Sequence, residues 1–226
     1  MPLVRRSLTR ADAKLTPASN LGGRATRQNE GMPADTRADH VIARTRAWVD
    51  RAVIGLNLCP FAKAVQAKGQ VRYAVSDAAD TDGLLAVLCD EMRLLAEAPP
   101  ERIDTTLLIH PAVLQDFDDF NDFLDAADAA LQALGLDGVL QVASFHPQYR
   151  FAGTAPDDVT NATNRSPYPT LHLLREASID RAVAAFPEPE SIYEANMRTL
   201  EALGAAGWAA LEAQCRADAD NGGESN

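Results

Sequence analysis

Apolar and polar positions recur along this chain with two periods, and each period predicts a kind of element. Between Asp39 and Leu56 the residues Val41, Ile42, Trp48, Val49, Val53, Ile54 and Leu56 fall at helical spacing. Gly55 weakens the last turn and Cys59-Pro60 ends it. A second helix, GLLAVLCDEMRLLAEA, is capped by Asp80 or Thr81 and stopped by Pro99-Pro100. A third, DFDDFNDFLDAADAALQALG, carries acids in its first turn, where the helix dipole favours them, and Gly135 at its end. Four short apolar runs predict strands: VRYAVS (71–76), TTLLIH (105–110), GVLQVASF (138–145) and TLHLLR (170–175). Ser178 is expected to cap SIDRAVAAF, and Ser191 to cap a final helix ending near Gly204.

Strands that alternate with helices of this length predict a single-domain, layered α/β sandwich with a roughly four-stranded sheet. A ferredoxin-like variant with antiparallel pairing is the alternative. One domain is expected over 38–208, followed by a polar tail over 209–226 that is expected to fray from about Cys215. Residues 1–37 carry seven basic residues against three acidic ones and show no sustained apolar period. They predict a disordered, dispensable extension, and Met32 opens a more natural start. A transit-type peptide is the alternative; the lack of an apolar central region argues against a secretory signal.

Apolar residues make up 46% of the chain, enough for a core, and the net charge of −11 disfavours a nucleic-acid surface. No run reaches the length of a membrane span. Three cysteines without paired metal spacing suit a reducing cytosol, so a cytoplasmic location is expected.

The chemistry concentrates between Ser144 and Arg175, in a long loop whose prolines and aromatics argue against disorder. The first three strands end at Asp77, His110 and His146. If those strands are parallel, the three residues share the carboxyl edge, where open α/β sheets place their ligands. Proline after each histidine restrains its backbone. His146, His110 and His172 are the candidate acid–base residues. A strand-end or core histidine with satisfied hydrogen bonds is the ordinary alternative. Arg165 is the best candidate for an anion contact, with Asn164, Asn161, Arg150 and Arg175 as further substrate-binding candidates. His146, His172 and Cys59 are candidate metal ligands. Cys59 sits at a helix C-terminus, which does not activate a thiolate, and Cys-Pro is also a haem-ligating dipeptide. Cys89 and Cys215 receive no role, and Cys215 is expected to be the more exposed thiol. No Walker loop, dinucleotide fingerprint, HExxH, GxSxG or paired CxxC occurs.

With LNLCPFAK (56–63), TTLLIHPAVLQDFDDFNDFLD (105–125), SFHPQYRFAGTAPDDVTNATNRSPYPTLHLLRE (144–176) and ASIDRAV (177–183), the chain resembles the bacterial family DUF1415 from about Arg44 to Trp208. The resemblance implies a compact cytosolic domain starting shortly before Arg44. It implies no activity.

Two functions are therefore expected. The first is a cytosolic enzyme acting on a small anionic metabolite, with His146 and Arg165 in one pocket, His110 or His172 as the third member, and a divalent metal as an optional aid. The second is a non-catalytic module that binds a metal, haem or a metabolite through the same residues. A small-molecule ligand is expected in both, and neither nucleic acid nor membrane.

Overall fold

Four strands, β1 (Val71–Val75), β2 (Thr105–Ile109), β3 (Leu140–Phe145) and β4 (Thr170–Arg175), form one open sheet in the order β1-β2-β4-β3. β1 pairs parallel to β2, while β4 pairs antiparallel to both β2 and β3. β1, β2 and β3 therefore run the same way, and β4 is inserted against them. The structure, a computed structural model, describes residues 34–184 and 191–222. Residues 1–33 of the expected extension lie outside the described residues.

The register divides the side chains between two faces. One face carries Tyr73, Thr105, Leu107, His172, Ala143 and Phe145; the other carries Ala74, Leu108, Leu171, Leu173, Val142 and Ser144. Helices cover both. α1 (Ala34–Trp48), a π-helical segment (Val49–Ile54), α2 (Ala62–Ala67) and α6 (Ser191–Gly222) lie over the first face, where Trp48, Val49, Ala52, Leu58, Leu107, Leu200 and Trp208 make one core. α3 (Thr81–Glu97) and α4 (Phe117–Ala133) cover the second, with Leu84, Leu88, Met92, Leu95, Phe117 and Phe120 at its centre. The wholly buried Leu88, Leu108, Leu171 and Leu173 contribute about 1.5–3 kcal/mol each. α5 (Glu176–Ala184) follows β4 directly. This is a single mixed α/β domain with helices on both faces of the sheet, and the antiparallel pairing that the alternative named is present at β4.

Local chemistry explains most boundaries. Asp80 caps α3 by accepting from the Gly83 N–H, and Asp116 caps α4 by accepting from Asp118 and Asp119. Gly135 ends α4 at φ +68°, the left-handed conformation glycine adopts freely. β2 is buried along its whole length, as a strand covered on both faces must be. At Gly55 a Cβ would lie 2.2 Å from the Arg51 carbonyl oxygen, so the tight exit from the π-helical segment requires glycine.

Four expectations are corrected. The 34–37 segment is the start of α1. Ser178 does not cap a helix: α5 begins at Glu176, and the Ser178 hydroxyl donates to Asp104 at 2.6 Å. The tail is not frayed over 215–222. Gly204 breaks the last helix with φ +68°, and the chain then resumes helical form to Gly222. Trp208, Leu211, Cys215 and Ala219 form one stripe along that second half, and Cys215 meets the Ala47 carbonyl of α1 at 3.6 Å. Cys215 is accordingly the buried thiol, whereas Cys59 and Cys89 are half-buried. Under native conditions a thiol reagent should therefore modify Cys89 before Cys215. Earliest labelling of Cys215, read by peptide mass spectrometry, would show that the helix end does not shield it.

Candidate functional site

The parallel run of β1, β2 and β3 brings Asp77, His110 and His146 to one sheet edge. Asp77 is exposed there, but the two histidines are enclosed. The His110 ring stacks on Phe120 with centroids 5.7 Å apart, and His146 lies between Phe117 and Phe120, at 5.5 and 5.1 Å. Each clamps the loop between β2 and α4. His110 donates from Nδ1 to the Val113 carbonyl at 3.0 Å. His146 accepts at Nδ1 from the Gln148 N–H at 3.0 Å, so its proton is on Nε2 and goes to the Leu114 carbonyl at 3.2 Å. Leu114 has φ +58°, a strained conformation for a leucine, and that clamp holds it. Burial pushes both rings down to about pKa 4, against the opposing effect of their carbonyl partners. Both are neutral at pH 7.

Tyr149 completes this buried corner. Its ring meets Phe117 at 5.1 Å, and its hydroxyl faces the Ser144 and Asn164 side chains, which favour the ionised form. Burial outweighs them and raises its pKa to about 12. Among the described residues, Nε2 of His110 is a buried ring nitrogen with no hydrogen-bond partner.

His172 does not join this group. It projects from β4 on the opposite sheet face, level with Leu107 and Ala143. Its Nε2 lies 2.7 Å from the Thr105 hydroxyl. That hydroxyl donates to the Leu173 carbonyl at 2.6 Å, so it accepts the proton of His172. Burial lowers this histidine to about pKa 4 as well.

The other expected site residues are engaged in holding the loop or the sheet. Asn161 is wholly buried; its oxygen accepts from the Phe151 N–H and the Thr154 hydroxyl, and its amide donates to Ala155. Asn164 donates to the Ser144 carbonyl at 3.2 Å. Both therefore fasten the 3-10 segment Val159–Asn164 to its surroundings. Arg150 pairs with Asp118 of α4 and lies over the Phe117 ring. Arg175 donates to the carbonyls of Leu95, Ala98 and Ile103, which satisfies the end of α3. Burial raises the Cys59 thiol, so it is no activated thiolate. Among the described residues no three His, Cys, Asp or Glu side chains are grouped to hold a metal ion, so His146, His172 and Cys59 do not assemble as ligands.

Arg165 is placed differently. Its Nε donates to the Tyr149 carbonyl at 3.3 Å and its fork to the Pro156 carbonyl. Rather than meeting His146, it lines a cavity of about 40 Å³ with Arg44, Trp48, Trp208, Glu212 and Arg216. α1 supplies Arg44 and Trp48, the loop supplies Arg165, and the second half of α6 supplies the rest. Arg44 also sits 5.6 Å over the Tyr168 ring. Burial lowers the Arg165 pKa while Glu212, Asp158 and Asp157 oppose the shift; an arginine stays protonated there. Among the charged residues lining the cavity, three arginines face one glutamate. The pocket expected for His146 and Arg165 together thus separates into a closed histidine clamp and an open arginine cavity. Arg44 and Arg216 are the site residues sequence reasoning missed. The signal for the α6 wall was the apolar spacing of Trp208, Leu211, Cys215 and Ala219 beyond Gly204.

Among known proteins, a family model described as a protein of unknown function, DUF1415, matches residues 40–210. No curated protein and no solved structure matches.

Proposed function

From the premise that this chain belongs to the DUF1415 family, whose description assigns no activity, we propose that it binds a small anionic metabolite in the cavity of Arg44, Arg165 and Arg216. One observation carries the proposal: three arginines and two tryptophans line one cavity whose lining holds a single carboxylate, in a chain of net charge −11. A planar guanidinium fork suits a carboxylate or phosphate group, and partial burial strengthens the attraction. The cavity volume of about 40 Å³ admits the charged head of a ligand, with its remainder outside.

The chain's two tryptophans, Trp48 and Trp208, both line this cavity, so intrinsic fluorescence reports on it directly. Titration with phosphate and with small mono- and dicarboxylates should change that emission saturably for at least one member. Arg165→Ala and Arg216→Glu should each weaken binding by about tenfold or more, the loss expected for a charged hydrogen bond. Arg216 is exposed, so its variant should keep the parent melting temperature. No saturable response to any anion, or equal affinity in both variants, would remove the proposal.

A second proposal, proton transfer at His110, is favoured by the buried, unpartnered Nε2 on that ring. It predicts chemistry that disappears in His110→Ala while anion binding at the arginines persists.

A further inference from the structure

We propose that the outer edge of β1 is a docking groove for an acidic peptide segment in extended conformation. β1 is an outer strand of the sheet, bonded to β2 on one side. The Gln70 carbonyl accepts from the Thr105 N–H and the Ser76 N–H donates to the Ile109 carbonyl. Even-numbered residues of this segment therefore face β2, and by the alternation of a parallel ladder the peptide groups of Val71, Tyr73 and Val75 point outward. A strand edge of this kind is a template for main-chain pairing with an added strand.

The ground beside the edge is shaped and charged. An open groove of about 320 Å³ runs between α1 and the start of β1, its lining including Ile42, Arg46, Arg72, Tyr73, Arg102 and Ile103. Its lining holds three arginines and no carboxylate. Arg46 lies 5.1 Å over the Tyr73 ring, and Arg72 is held by Glu91 of α3. Arg46 and Arg102 are exposed.

These charges select the occupant. A second copy paired through β1 would set arginines against arginines. The segment 1–33, with six basic and two acidic residues, carries the same sign as the groove. An extended chain with acids at alternate positions satisfies both features: its backbone pairs with Val71, Tyr73 and Val75, its carboxylates, all on the groove side, meet Arg46 and Arg102, and its intervening side chains turn to the opposite face of the sheet. The ordinary alternative is that the arginines only guard the edge against aggregation.

The full-length chain separates these cases when titrated with a fluorescein-labelled, end-blocked octapeptide of alternating Glu and Val, followed by anisotropy. Its Lys–Val counterpart serves as the control. The acidic peptide should bind and the basic one should not. Arg102→Glu should weaken the acidic peptide by about tenfold, and raised salt should do the same, as for exposed charge pairs. Hydrogen exchange should slow at the Val71, Tyr73 and Val75 amides only when the acidic peptide is present. Arg216→Glu, in the separate anion cavity, should leave peptide binding unchanged. Absence of binding, equal binding of both peptides, or protection outside those amides overturns the proposal. So does protection there that rises with protein concentration alone, which would mark self-pairing.

Discussion

Acidification from pH 7 to pH 4 should destabilise this protein more than the truncation of any one of its buried side chains. His110, His146 and His172 each titrate near pH 4 when folded, because burial disfavours their charged forms. In the unfolded chain they return to about 6.5. Between those values the unfolded chain binds the extra protons, so stability is present in full above pH 6.5 and is lost as the pH falls towards 4. Each such group contributes a slope of about 1.4 kcal/mol per pH unit in that window. Three together approach about 4 kcal/mol per unit near pH 5, against a total stability of about 5–15 kcal/mol for an ordinary domain. The lowered carboxylates, Asp158 and Asp218, sit at the surface, the first part-buried and the second exposed, so they add little. Urea unfolding at pH 7, 6 and 5 measures the effect directly: the free energy should fall steeply while the denaturant slope holds. A flat profile between pH 7 and 5 would mean that the histidines protonate in the folded state, and that the clamps around them are open.

The elements that the sequence predicts well are those fixed by local chemistry. β4 falls at Thr170–Arg175 as the run TLHLLR predicts, and the third helix starts where an aspartate cap precedes an acidic first turn. Strand order is different in kind. Nothing local to TLHLLR says that it inserts antiparallel between β2 and β3, because that pairing is chosen by burial on both faces. Gly204 shows the opposite error. A glycine that ends one helix looks like the end of helical structure, and only the apolar stripe from Trp208 to Ala219 shows that a second helix follows.

The sheet-edge position of the candidate residues was legible in the sequence, and their side-chain partners were not. Asp77, His110 and His146 do share an edge, since strand-end positions follow from strand boundaries and direction. Side-chain direction then separates the residues. His146 and His172 lie on different faces because the register sets His172 opposite Ala143, an odd number of positions before His146, and residue parity along a strand decides the face. Arg165 was recognisable as an unusual cation, but the residues that give it a cavity, Arg44 and Arg216, lie 121 and 51 positions away in sequence and meet it only through helix packing. Asn161 and Asn164 carry the ambiguity inherent in asparagine, which serves a loop backbone as readily as a ligand.

His146→Ala should cost about 3–5 kcal/mol of stability and leave anion binding intact, because the lost ring volume and the lost clamp act together. The wild-type ring fills the space between Phe117 and Phe120 and is fully buried. Alanine would leave that space empty, together with an unpaired Gln148 N–H and an unpaired Leu114 carbonyl. It would also release Leu114 from its positive-φ conformation, loosening the turn that leads into the Asp116 cap of α4. His146→Phe separates the two contributions, since it keeps most of the ring volume and removes both hydrogen bonds. Its cost should be about 1–3 kcal/mol, the part due to the unsatisfied backbone groups. A double-mutant cycle with His110→Ala should show coupling, because both rings pack against Phe120 and fasten adjacent carbonyls of one loop. The tryptophan response to anions should keep its affinity in His146→Phe, since the arginine cavity has no contribution from this ring. The reverse outcome is equally readable. If His146→Ala unfolds within about 1 kcal/mol of the parent and yet loses the anion, the clamp is not what holds the loop. The histidine would then belong to the binding site after all.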